Sequence, residues 1–125
     1  MQKVQTNPFA TRIDYVTVDG KQIATDQEGY IQDMSEWSEG FATAIAEKEG
    51  ITLTDEHWEV IWYIRKFHDE HQVQAQVLDM IKHFKKKWGK KRGNNKYLHK
   101  LFPTGGGPQK QGNRIAGIRR TKGEH

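Results

Sequence analysis

Two runs decide how this chain is read: Gly93-Asn94-Asn95-Lys96-Tyr97-Leu98 through Leu101-Phe102-Pro103, and, after a glycine run, Arg114-Ile115-Ala116-Gly117. Asn94 or Asn95 supplies the short polar side chain that caps a helix N-terminus, and Pro103 stops the helix that follows. Gly105-Gly106-Gly107-Pro108 then reads as a hinge. Beyond it, Lys110 to His125 offers only Ile115, Ala116 and Ile118 as apolar anchors. Three such residues cannot build a core of their own, so residues 104–125 read as a flexible basic arm, mobile or docked on the body or a partner.

Working outward, the body preceding the arm reads as mainly helical. Tyr15-Val16-Thr17-Val18 alternates, Asp19-Gly20 is a type I′ turn signal, and Gln22-Ile23-Ala24-Thr25 returns, which predicts a small hairpin. Ile31 is expected to begin a third brief strand after the turn at 26–30. Ser35 is expected to cap a first helix through Trp37, Phe41, Ala44 and Ile45, closed by Gly50. Thr54 caps a second helix with Trp58, Ile61, Trp62, Ile64, Arg65 and Phe67 on its stripe. A third covers Gln74 to Trp88 with Val77, Leu78, Ile81, Phe84 and Trp88 inward, and Gly89 ends it. Residues 1–12 show no periodicity and read as a mobile leader, so the expected division is leader 1–12, helical domain 13–103 and arm 104–125.

The totals narrow the classes of function. At 125 residues there is room for one domain with a modest core. With no cysteine, disulfides, thiolate metal sites and thiol catalysis are excluded. No apolar run approaches the roughly 20 residues that span a bilayer, so no membrane partner is expected and a cytoplasmic location is. The net charge of +4 hides a strong asymmetry. Residues 1–81 hold 6 Lys/Arg against 15 Asp/Glu, a balance of −9, and residues 82–125 hold 14 against 1, a balance of +13. Such a distribution marks an electrostatic docking surface for nucleic acid or an acidic protein, or two halves that neutralise each other within one fold.

At this point the residues carry a family likeness. Val18-Asp19-Gly20-Lys21, Asp26-Gln27-Glu28-Gly29-Tyr30, Trp37, Glu56-His57-Trp58-Glu59-Val60-Ile61, Gly93 to Leu98, Leu101-Phe102-Pro103, Lys110-Gln111 and Arg114-Ile115-Ala116-Gly117 together resemble the DsrC/TusE family. The likeness runs in unbroken order over roughly residues 16–125. It implies a mainly α fold: a DsrC-like helical domain with a helix-turn-helix-like core, a small N-terminal β-hairpin and an extended C-terminal arm. It also implies a sulfur-relay role, in which the arm reaches into a partner. That partner is a dissimilatory sulfite reductase for DsrC, or the relay ending in tRNA wobble-uridine thiolation for TusE.

Family members that act so use a cysteine just before the Arg-x-Ala-Gly segment, and DsrC adds one beside the C-terminus. Here those positions hold Asn113 and Glu124, neither of which offers a thiolate. Ala75 and Leu78 also stand where the family commonly has Pro and Arg, and Ile118-Arg119-Arg120-Thr121 replaces Leu-Pro-Lys-Pro. The expectation is a non-catalytic member, with no cofactor, that binds or regulates a sulfite reductase or sulfur-relay protein through its arm. Lys110, Arg114, Arg119 and Arg120 would attract the partner, with Ile115 and Ile118 as anchors. A reading from another class makes it a DNA-binding regulator of sulfur-metabolism genes. It would use Lys85, Lys86, Lys87, Lys90, Lys91 and Arg92, interrupted by Trp88, on phosphates of DNA or tRNA. A weaker one makes it a scaffold in tRNA 2-thiolation.

The remaining polar motifs read as structural. His68-Asp69-Glu70-His71 has imidazoles at i and i+3 but no third ligand at a fixed spacing, so no metal is expected. His57 is expected to cap its helix, and His83 and His99 stand without a recognisable partner. Gly105-Gly106-Gly107 lacks the strand, helix and Lys-Ser/Thr of a phosphate loop. The sequence leaves the oligomeric state open.

Overall fold

A computed structural model describes residues 12–104 and 106–120. The described chain runs β1 (Asp14–Val18), β2 (Lys21–Thr25), α1 (Glu39–Lys48), α2 (Asp55–His71), α3 (Val77–Trp88), α4 (Asn95–Leu101) and α5 (Gly107–Ile115). It is thus mainly α with a small hairpin, as expected.

β1 and β2 pair antiparallel with Val16 opposite Ile23 and Val18 opposite Lys21. Asp19 and Gly20 both take positive φ, 52° and 81°, the geometry a two-residue I′ turn requires. Period-2 alternation sends Val16 and Ile23 into the core. The third strand reduces to a single bridge between Thr25 and Ile31. The Asp26 carboxylate closes the intervening turn, accepting from the backbone N–H of Glu28 at 2.9 Å and of Tyr30 at 3.0 Å.

The first helix starts later than its sequence suggests. Ser35 lies in a separate 3₁₀ turn, Met34–Glu36, capped by Asp33, and it is Ser38 that caps α1 by accepting from the Phe41 N–H. The reason is tertiary: Trp37 leaves the helical path in extended conformation so that its indole can meet α5. Thr54 caps α2 as expected, and His57 completes a capping box with it.

α3 begins at Val77 rather than Gln74, with the Asp79 carboxylate accepting from the Gln76 N–H at 2.9 Å. Its buried residues are Met80 and Phe84, whereas Leu78 is 72% exposed. Leu78 sits one residue, about 100° of helix, away from the Val77–Ile81–Phe84–Trp88 line, and Met80 fills the stripe instead. Asn94 caps α4 by accepting from the Tyr97 N–H at 2.8 Å.

The largest departure lies in the segment read as a hinge and flexible arm. Gly107 and Pro108 open α5, and Gln111, Gly112, Asn113, Arg114, Ile115, Ala116 and Ile118 are all buried. α5 packs against α1, α2 and α4. A Cβ at Gly112 would come within 3.0 Å of the Ile64 methyl, so glycine sets how closely α5 approaches α2. The remainder of the expected leader, residues 1–11, lies outside the described residues, as do Gly105 and Glu124.

Candidate functional site

The residues that framed the family likeness converge on α5 and the turn after it. Helix C-termini leave carbonyls without intrahelical partners, and here side chains from remote elements serve them. The Trp37 indole N–H donates to the Ile115 carbonyl at 3.0 Å, and Arg65 Nη1 donates to the Ala116 carbonyl at 2.6 Å. Gln74 Nε2 reaches the Arg119 carbonyl at 3.4 Å. The Arg65 guanidinium lies 3.9 Å from the Trp37 ring centroid, a cation–π contact that orders both donors. Gly117 makes the turn with φ 75°, and a Cβ there would lie inside the Trp37 indole.

On the other side of α5, Arg114 is buried and paired with Glu49 at the end of α1. Its Nε and Nη2 donate to the two carboxylate oxygens at 2.7 and 2.9 Å. Gln111 Nε2 donates to the same carboxylate at 2.6 Å and to Thr104 Oγ1 at 2.7 Å, and its Oε1 accepts from the Thr104 N–H at 3.1 Å. Burial pushes the Glu49 carboxyl upward, but its bonds to Arg114 and Gln111 outweigh this and hold it below the usual carboxylate range. Burial likewise opposes charge on Arg114, and Glu49 reverses the balance, raising its pKa. The Tyr30 ring lies near both Arg114 and Arg120, at 5.5 and 4.9 Å, and Arg120 also pairs with Glu28 and Asp26. A depression of about 370 Å³ bordered by Glu28, Gly106, Lys110 and Arg114 opens beside the helix.

Asn113 is the residue that the resemblance leads one to expect at the family's carrier-cysteine position. It is completely buried, and its Nδ2 donates to the Ala75 carbonyl at 3.1 Å and to the Gln109 carbonyl at 2.6 Å. Its Oδ1 is buried without a hydrogen-bond partner among the described residues. The side chain therefore ties α5 to the α2–α3 connection, and nothing at this position is nucleophilic. Of the residues expected to contact a partner, Ile115 and Ile118 are core side chains and Arg114 is committed to Glu49. Lys110 is exposed, Arg119 is half-buried, and Arg120, its side chain 14% exposed, is spent on Glu28 and Asp26.

The basic run divides in two. Lys87 pairs with Glu59 at 3.2 Å and Arg92 pairs with Glu56, while Trp88 turns inward and donates to Glu59 at 3.0 Å. Lys85, Lys86, Lys90 and Lys91 remain exposed. The histidines are structural. His57 Nδ1 accepts from the Thr54 N–H at 3.0 Å and its Nε2 meets the Leu101 carbonyl at 2.7 Å, so Nε2 carries the proton. Burial lowers the His57 pKa and keeps it neutral. His83 stacks on Tyr63 at 4.4 Å, and His99 Nδ1 lies 3.0 Å from the Asn95 carbonyl. Among the described residues no cluster of three or more His, Asp or Glu is placed to hold a metal, and no helix is long and apolar enough to cross a membrane.

Sequence reasoning found α5's frame but missed the clamp residues Glu49, Arg65 and Gln74. Only Arg65 had a signal, a cation on an otherwise apolar stripe.

Comparison with known proteins matches residues 17–123 to the family model described as DsrC like protein. The chain is 45% identical over 100 residues to the sulfurtransferase TusE of Salmonella choleraesuis (strain SC-B67), covering 80% of this chain and 90% of that one. Its fold is similar to the solution structure of Allochromatium vinosum DsrC, with TM-score 0.79 and 41% identity over 90% of this chain and 98% of that one. It is similar also to the oxidized gamma-subunit of the dissimilatory sulfite reductase (DsrC) from Archaeoglobus fulgidus, with TM-score 0.78 and 36% identity, covering 88% and 98%.

Proposed function

The chain belongs to the DsrC-like protein family, and from that premise we propose that it engages the family's sulfur-relay partners without carrying sulfur. One observation supports the reading: the chain has no cysteine, and on this reading the buried Asn113 amide stands in for the relay thiol. The relatives are a sulfurtransferase, TusE, and a sulfite reductase gamma-subunit, DsrC, and the relay reading comes first because the likeness to TusE is the stronger in identity. The protein competes with a cysteine-bearing relative for a donor or acceptor and so modulates sulfur flow, including flow toward tRNA thiolation.

The docked arm shapes how such a partner is met. Releasing it would expose Ile115 and Ile118, at about 1.5–3 kcal/mol each. Binding therefore uses the arm in place, with Lys110 and the half-buried Arg119 at the rim supplying attraction rather than inserted apolar anchors, while Arg120 is held by Glu28 and Asp26. The test is a labelled-sulfur transfer between a cysteine-bearing TusE and its donor, titrated with this protein. A saturable fall in transfer with no label on the added chain is expected. Label on the chain, or unchanged transfer at about tenfold excess, well beyond 1:1 competition, refutes the proposal.

Binding of DNA or tRNA is a second reading, favoured by the exposure of Lys85, Lys86, Lys90 and Lys91. It requires affinity that falls steeply with salt and drops when all four become alanine. Absence of binding at low salt removes it.

A further inference from the structure

Away from the arm, α2 and α3 enclose a groove of about 340 Å³. Its floor is aromatic, with Tyr63 and His83 stacked at 4.4 Å and Phe67 beside His71 at 4.4 Å. Two large exposed apolar residues adjoin its lining in sequence: Leu78, 72% exposed, directly precedes Asp79, and Val73, 53% exposed, lies two residues after His71. Isolated exposed apolar residues are ordinary, but a pair flanking an aromatic groove is the composition of an interface core.

The charges around the groove select the occupant. Two carboxylates and two lysines line it, and Lys66 and Lys85 beside them leave the local balance positive. Glu70 pairs with Lys66 at 3.7 Å, and Asp79 caps α3 through Gln76 N–H at 2.9 Å. The two lysines, Lys82 and Lys86, are exposed and form no ion pair among the described residues, and Lys85 extends the same face of α3 from Leu78. His83, in the floor, has its pKa lowered first by burial and then by Lys87 and Lys66, with Glu59 opposing them. We propose that the Leu78–Val73 end of the α2–α3 groove docks an acidic protein segment that presents an apolar side chain flanked by carboxylates. Such a segment buries its apolar group against Leu78 and the aromatic floor while its carboxylates meet Lys82 and Lys86. The mode is peptide-in-groove recognition. It is argued independently of sulfur relay, from residues other than Asn113 with its bonds to Ala75 and Gln109, and Arg114 with its bonds to Glu49.

The test is selection of a displayed library of random twelve-residue peptides on the full-length protein, followed by affinity measurement of the enriched sequences by fluorescence anisotropy. Enrichment of sequences pairing an apolar residue with Asp or Glu is expected. Their affinity should fall about tenfold with Leu78→Arg and several-fold with the Lys82→Glu/Lys86→Glu pair. Both variants lie on the surface, and an unchanged denaturation midpoint confirms that folding is not the cause. Enrichment of basic or uncharged sequences, enrichment insensitive to Leu78→Arg, or no enrichment overturns the proposal. So does a dimer in sedimentation equilibrium that Leu78→Arg abolishes, because the occupant would then be a second copy of this chain.

Discussion

Replacing Asn113 by cysteine measures how firmly the arm is held, at the position proposed above to correspond to the family's thiol. The local cost is small. Two donated hydrogen bonds are lost, each worth about 1 kcal/mol net, while the removal of an unpartnered buried oxygen returns about 1–3 kcal/mol. The variant should therefore fold with stability within about 2 kcal/mol of the parent. The introduced thiol is fully buried and reacts only when α5 lifts from its seat. Lifting exposes Ile115 and Ile118, now at 0% and 1%, at a cost of about 3–6 kcal/mol together. That corresponds to an opening constant of about 10⁻² to 10⁻⁴. In an Ellman-type labelling assay the native thiol should react about 10²–10⁴-fold more slowly than the thiol of the denatured chain. A native rate within about tenfold of the denatured one would refute the docked arm and, with it, the argument that partners meet α5 in place.

Three further outcomes follow from the same geometry. Glu49→Gln leaves a buried guanidinium without its carboxylate, and unfolding should cost about 2–4 kcal/mol less, a range discounted from that of fully buried pairs because the Glu49 side chain is 19% exposed. Urea midpoints measure this, and a loss under about 1 kcal/mol would mean the pair is screened. Gly117→Ala should destabilise by more than Gly20→Ala, although both have similar φ, 75° and 81°, because only at Gly117 does the new Cβ meet another residue. Equal losses in denaturant midpoint would show that the Trp37 seat is loose. As pH falls below about 6.5, stability should decline, because His57 is neutral in the fold with a lowered pKa while the unfolded chain binds the proton. A second decline should follow below about 4.3, through the lower folded pKa of Glu49. His83, also lowered, adds to the first step, so His57→Gln should shrink that step rather than abolish it. A flat profile from pH 7 to about 5 would refute the buried neutral His57.

Elements governed by local rules were legible in the sequence. Asp19-Gly20 needs only its own backbone preferences to turn, and Thr54, Asn94, Gly50 and Gly89 act within one helical turn of themselves. Where a residue's role depended on a distant partner, the reading slipped. Ser35 and Ser38 are equally good caps, and the choice between them is made by Trp37 reaching a carbonyl 78 residues away. Leu78 looked like core because apolar residues at near-helical spacing are hard to separate from a stripe one position over, and Met80 took its place.

The sequence by itself determined the family frame and the chemistry that is missing, because the presence or absence of a thiol is a matter of composition. It determined the charge asymmetry too, though not which charges are spent. Only the tertiary structure decided that the arm is docked. Residues 107–118 carry few apolar groups, and their burial rests on polar partners from elsewhere: Glu49 for Arg114, the Ala75 carbonyl for Asn113, and Trp37 and Arg65 for the carbonyls after α5. Each of these pairs spans at least 38 residues of chain. Local periodicity carries no information at that range, and a polar segment whose buried groups are mostly hydrogen-bonded can be buried as an apolar one is.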